Sequence, residues 1–337
     1  MRPGRLYLIL LLLIYQSSLG QDTAPTYAER LGWKKGAKVL ILHVDDLGMS
    51  YESNLGAIQA LEKGVATSVS VMMPCPWVPG FVRYLKEHPQ TDAGLHLTLT
   101  AEWKDYRWSP LTGTASQGLL DPEGALWPTV PEVVQHASPN EVEAEIRAQI
   151  ARARRMGFEP THLDSHMGAL FASPAFLERY LKVGMETGIP VMFPAGHNTL
   201  IAKQTGASAQ QMQTARMTGQ KLWEAGLPVL DDLHGHSYGW DLPQGRPVTD
   251  ENLRKFKTEK YIEAIRSLQP GITMMIMHCT APTEVFQHIS DSGPTRRGDL
   301  LAMLDPALRQ AIEGEKIVLT TWRELKERRM KVGTGKK

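Results

Sequence analysis

Two adjacent carboxylates, Asp45 and Asp46, end the apolar run Lys38–Val44. Comparable groups stand in or after three further runs: His96 within Ala93–Leu99, Asp164-Ser165-His166 after Thr161–Leu163, and His278 after Ile272–Met277. If these runs are parallel strands, their carboxyl ends bring carboxylates and imidazoles to one rim. That set suits hydrolysis of an unreactive acyl bond. A divalent metal lowers the pKa of water and polarises a carbonyl oxygen, and two His with one carboxylate leave coordination positions open. A second carboxylate can take a proton from water, and an acid must protonate the leaving group. Asp45, Asp46, His96, His166 and His278 supply all of these groups. Each also has a plainer use: Asp45-Asp46 as a turn or helix cap, His96 and His278 as hydrogen-bonded core residues, Asp164 and His166 as loop polarity. Adjacent like charges at a strand end, however, call for a compensating cation.

The elements that would position these groups are short β-branched runs alternating with amphipathic helical stretches. The remaining runs are Ala66–Met72, Val191–Phe193, Val229–Leu233 and Ile317–Thr320. Helices are expected over Tyr51–Lys63, Val78–His88, Glu141–Met156, Ala175–Thr187, Ala207–Glu224, Glu251–Ser267, Arg297–Glu313 and Thr321–Glu327. Ser138-Pro139-Asn140-Glu141 caps one start, and Gly64 and Gly188 sit at helix stops. About eight βα units in one series predict an α/β fold, a parallel β/α barrel in a single domain, with an open doubly wound sheet as the alternative. The stretch 101–131 breaks the pattern and reads as a long loop on the active face. It carries Trp103, Trp108 and Trp127, which with Tyr238 and Trp240 could stack on sugar rings or simply pack on the barrel.

Composition narrows the class. The chain has 337 residues, 42 % hydrophobic and 22 % charged, which suits a globular protein with a substantial core. A balance of 37 basic against 36 acidic side chains argues against nucleic acid as a partner. Arg2 and Arg5 precede the apolar run Leu6–Tyr15, and Ser18 and Gly20 are small residues suitably placed for cleavage after Gly20. Residues 1–20 therefore read as a signal peptide, 21–337 as the mature domain, and the protein as exported to the periplasm or beyond. The apolar run is too short to span a bilayer comfortably, which leaves no stable membrane insertion after cleavage, though an uncleaved anchor is the alternative. Cys75 and Cys279 fit two buried thiols or one bridge. Oligomeric state is not legible.

The stretch His43–Trp77 (HVDDLGMSYESNLGAIQALEKGVATSVSVMMPCPW), with Asn54 opening its helix, resembles the start of the YdjC-like carbohydrate deacetylases. The resemblance continues through Gly94-Leu95-His96-Leu97-Thr98, Thr161-His162-Leu163-Asp164-Ser165-His166 and His278, covering about Val39 to Trp322. It implies a distorted, TIM-like β/α barrel that hydrolyses the acetamido group of amino sugars or their oligosaccharides with one divalent ion, Zn²⁺ or Mg²⁺. By the same resemblance Asp45 is the general base, Asp46, His96 and His166 are metal ligands, and His278 is the acid. Candidate substrate contacts are Asp164, Trp103, His236 and Arg297. Arg296 or Arg297 could steady an oxyanion, and the Asp231-Asp232-Leu233-His234-Gly235-His236 cluster could touch substrate or hold a second metal. The chain departs from many relatives in having Met167-Gly168 where a second His follows the fourth-strand motif, and Cys279 where Pro often follows the late His. Hydrolysis of an ester or non-sugar amide on the same barrel, or sugar binding without catalysis, remain alternatives.

Overall fold

The computed structural model describes residues 24–333, so the signal-peptide expectation lies outside the described residues. Seven parallel strands form the sheet: β1 (Lys38–Leu47), β2 (Ser68–Val71), β3 (Ala93–Leu97), β4 (Leu163–Ser165), β5 (Asp232–His234), β6 (Gly271–Met277) and β7 (Val318–Leu319). Their order is β4-β3-β2-β1-β6-β5, with β7 pairing β1 beside its amino-terminal half. β1 to β4 and β6 are buried almost throughout, as expected when helices cover the outside of a parallel barrel and side chains fill its interior.

The expected fifth strand is reduced to single parallel bridges. Leu163 pairs Val191 and Pro194 pairs Leu230, carrying the ring from β4 round to β5. Pro190 and Pro194 flank the run and have no N–H to donate, so no ladder can extend there. This is the distortion of the barrel. The expected helix 297–313 is likewise two, Gly293–Leu304 and Pro306–Gly314, because Pro306 stops the first and starts the second. Ser138 and Glu141 form the expected capping box, and Gly188 closes its helix at φ 66°. Cys75 and Cys279 are both buried and unpaired. Among the described residues no helix is long and apolar enough to cross a membrane.

β1 carries the irregularity that matters for the site. Its register against β2 shifts between Val44 and Leu47, and Asp46 adopts φ 69°. Successive strand residues normally point to opposite faces. A bulge with a left-handed residue re-aims one of them, at a backbone cost that an Asp tolerates better than most. Both Asp45 and Asp46 consequently approach the same imidazole, His96.

Candidate metal centre and active site

His96 on β3 and Asp164 on β4 are direct ladder partners, which brings His96 Nδ1 to 2.7 Å from Asp164 Oδ1. The opposite ring nitrogen, Nε2, lies 3.3 Å from Asp46 Oδ1. His166, in the turn leaving β4, sets Nδ1 3.3 Å from the same oxygen and Nε2 3.1 Å from Glu102 Oε2. Two ligands of a tetrahedral ion, each about 2.0–2.1 Å from it, stand about 3.4 Å apart. The two distances from Asp46 Oδ1 to the imidazoles match that spacing, the three ligand atoms lie within 4.8 Å of one another, and all three residues are buried. Asp46 Oδ1 is itself buried without a hydrogen bond of proper geometry, a costly state for a carboxylate oxygen unless a cation faces it. Each imidazole also rests its far nitrogen on a carboxylate, the arrangement that fixes tautomer and ring orientation in metal-binding His. The donor set therefore fits a divalent ion.

The electrostatics agree. Burial lowers the proton affinity of His96 and His166, but carboxylates outweigh it: Asp45 and Asp164 hold His96 well above its ordinary value, and Glu102 and Asp46 bring His166 up to about 9. The same negative potential favours a cation, which would displace those protons. Burial alone would raise Asp46; the Arg296 guanidinium, 2.6 Å from Oδ2, and the neighbouring imidazoles hold it well below the usual carboxylate range.

Asp45 stands beside this trio. Its Oδ1 is 3.1 Å from His43 Nε2 and accepts from Ser70 at 3.3 Å, while Oδ2 lies 3.7 Å from His96 Nε2 and 4.0 Å from His278 Nε2. His278 is held from behind: its backbone N–H donates to Asp299, which also accepts from Tyr261 and pairs with buried Lys257 at 2.9 Å. Burial pulls the His278 imidazole below its ordinary value despite the carboxylate of Asp46. The ring of Tyr238 packs edge-on against it at 4.9 Å.

The site thus gathers Asp45, Asp46, His96, His166 and His278, as expected. Other expectations are corrected. Asp164 belongs to β4 itself and is buried behind His96, out of reach as a substrate contact. Arg297 turns outward to pair with Asp250 at 2.6 Å; its neighbour Arg296, one residue round the helix, points in. His236 is exposed and takes no part in the carboxylate–imidazole cluster. Asp231 accepts the backbone N–H groups of Tyr27, Ala28 and Ile272, and Asp232 those of Leu200 and Ile201, so this pair braces the backbone and, among the described residues, joins no candidate metal-ligand group. Trp103 is part-buried, 5.5 Å from Trp108 and 5.9 Å from the Arg296 guanidinium, at the edge of the site. Glu102 and His43 were missed: Glu102 lies in an aperiodic loop, whereas His43, two residues before Asp45 on a strand, shares its face and could have been found.

A family model for YdjC-like proteins matches residues 39–314. The chain belongs to the YdjC-like family. A carbohydrate deacetylase of Thermus thermophilus is 31 % identical over 301 residues, spanning 89 % of this chain and 97 % of that one. A chitooligosaccharide deacetylase of Yersinia enterocolitica is 32 % identical over 132 residues, 38 % of this chain and 49 % of its own. The YdjC-like fold also matches a solved Enterococcus faecalis structure, provisionally assigned to cellobiose-phosphate cleavage, with TM-score 0.67 and 19 % identity over 86 % of this chain and 99 % of that one. In this YdjC-like chain the match takes in every member of the cluster, from His43 to Arg296.

Proposed function

We propose that this protein removes acetyl groups from N-acetylated amino sugars or their oligosaccharides, using one divalent ion, Zn²⁺ or Mg²⁺, held by Asp46, His96 and His166. The observation that carries this reading is Asp46 Oδ1, buried and unbonded, facing two imidazole nitrogens at 3.3 Å each. The names of the Thermus and Yersinia relatives support the substrate class. When bound, the ion supplies Lewis acidity toward water and the amide carbonyl.

Asp45 is the general base. His43 and Ser70 hold its Oδ1, so Oδ2 remains for the proton of the attacking water. His278 is the acid for the departing amine. Burial lowers the proton affinity of its imidazole, which favours giving a proton to the amine, and Asp45 Oδ2, the group that takes one from water, lies 4.0 Å away. Arg296 fixes Asp46 through Oδ2, and Trp103 beside it offers an aromatic wall to the sugar. The signal-like residues 1–20 support export to the periplasm or beyond, which a mature chain beginning at Gln21 would verify.

The test is metal analysis together with acetate release from N-acetylglucosamine oligomers and from acetate esters. Stoichiometric metal and amide cleavage are expected, with Asp45→Asn reducing turnover by about 10²-fold or more. Cleavage of esters alone would overturn the substrate class, and full activity in Asp45→Asn would remove Asp45 as the base.

A further inference from the structure

The three imidazoles of the site are not held alike. His96 rests Nδ1 on Asp164 and His166 rests Nε2 on Glu102, each on a carboxylate that fixes its ring. His278 has no such partner. Its Nδ1 is buried without a hydrogen bond among the described residues. Its Nε2 stands 4.0 Å from Asp45 Oδ2 and 3.9 Å from Asp46 Oδ2, beyond hydrogen-bond reach. The ring of the acid is therefore aimed from its backbone and from what packs on it.

Both supports lead to Lys257. This side chain, 1 % exposed, enters from the helix Asp250–Ser267. An ammonium has three donors, and three acceptors surround this one: the Ser237 carbonyl at 2.8 Å, Thr295 Oγ1 at 2.7 Å and Asp299 Oδ1 at 2.9 Å. Asp299 passes the hold to the acid, since its Oδ2 accepts the His278 N–H at 3.1 Å. Ser237 and Thr295 pass it to Tyr238, whose ring lies edge-on to His278. Ser237 precedes Tyr238 in the chain, and Thr295 Oγ1 donates to the Tyr238 carbonyl at 3.3 Å. Gly298 leaves room for the lysine stem, because a Cβ there would stand 2.8 Å from Lys257 Cγ.

Resting on the hydrolase reading, we propose that Lys257 is a positioning residue for the acid step. Its ammonium fixes the His278 backbone and the Tyr238 ring together, and so aims the imidazole at the leaving nitrogen. A buried ion pair is often no more stabilising than a well-packed apolar pair of similar volume. A compact ammonium, however, ties three segments at one point, which neither an apolar side chain nor the planar fork of Arg reproduces. Without that tie His278 keeps its chemistry and loses its aim, and a misplacement of about 1 Å can cost about 10²-fold in rate.

The test is Lys257→Met combined with Asp299→Asn, which leaves no unpaired charge buried, alongside Thr295→Val, which spares the ion pair. Two substrates are compared in the metal-loaded protein. The β-1,4-linked N-acetylglucosamine dimer has an amine that must be protonated to leave; p-nitrophenyl acetate releases a nitrophenolate that leaves unprotonated. In the double variant, amide turnover should fall at least about tenfold further than ester turnover, in kcat rather than KM. Thr295→Val should shift that ratio in the same direction by less, and it decides the matter if the double variant does not fold. An equal loss on both substrates, or an unchanged amide rate, overturns the positioning role. Hydrogen exchange of the His278 amide separates this proposal from the hydrolase reading. If wild type cleaves no amide, that reading falls; faster His278 exchange in the variants then still supports the tie, and unchanged exchange overturns it.

Discussion

Asp45 and Asp164 share one partner: the fully buried His43 sets Nε2 3.1 Å from Asp45 Oδ1 and 2.9 Å from Asp164 Oδ2. Burial lowers the proton affinity of His43, but these two carboxylates outweigh it and push it up to about 9. An imidazolium between two buried carboxylates links the oxygen pair of the base to the group that orients His96. Replacing it by an apolar side chain leaves both carboxylates uncompensated, a change that costs about 3–5 kcal/mol in comparable buried pairs. His43→Leu should lose that much in denaturant titration, and His43→Gln, which keeps a donor, should lose less. Equal stability of wild type and His43→Leu would remove the bridging role.

Glu102 is not itself one of the proposed metal ligands, yet it holds the far nitrogen of His166 at 3.1 Å. Glu102→Gln is expected to weaken metal affinity about 10–100-fold while leaving melting of the metal-free protein nearly unchanged. Competition against a chromophoric chelator measures the affinity.

Metal addition should stabilise the protein by mass action, about 2.7 kcal/mol at a free concentration one hundred times Kd. The stabilisation should vanish in His96→Ala, whose barrel core is intact. A thermal shift of wild-type size in that variant would contradict the ligand assignment.

A Gly-to-Ala change inside a helix ordinarily gains up to about 1 kcal/mol. At Gly56 the sign should reverse. A Cβ there would stand 2.6 Å from the Cys279 carbonyl oxygen, 2.7 Å from Thr280 Cα and 2.8 Å from Ala281 N, all backbone. Gly56→Ala is expected to cost about 1–3 kcal/mol and to displace the segment after His278, lowering kcat more than stability alone explains.

His234 is nearly fully buried and held neutral by burial, its pKa lowered to about 4. The unfolded chain binds its proton near 6.5, so between these values the unfolded state carries more protons and stability falls as pH falls. The loss should reach about 3 kcal/mol at pH 4 and be absent above about 6.5. His234→Phe should flatten that part of the stability–pH curve; an unchanged slope would place the titration elsewhere.

The strand-end logic made much of the site legible. Asp45, Asp46, His96 and His278 lie where parallel strands must end or run, so their convergence follows from topology. Asp164 was misread because β4 begins rather than ends at Leu163, which turns a loop residue into a ladder partner of His96. Arg296 and Arg297 could not be told apart from composition; one residue is about 100° around a helix, and only packing chooses the inward side. Glu102 had no periodic signal at all. The two-proline run 190–194 looked like a strand by its residue types, and the missing N–H donors were the cue that it pairs only at single points.

Those single points have a consequence for how the molecule moves. Every other junction around the ring is a multi-residue ladder, up to the seven-pair register of β1 with β6. Between β4 and β5 the wall is held by four backbone bonds: the amides of Leu163 to Pro190, Met192 to Leu163, Ala195 to Leu230 and Asn198 to Asp231. The barrel therefore has a seam. Opening there breaks fewer bonds than opening a ladder, so amide exchange is expected to be fastest along this junction, on the side of His166.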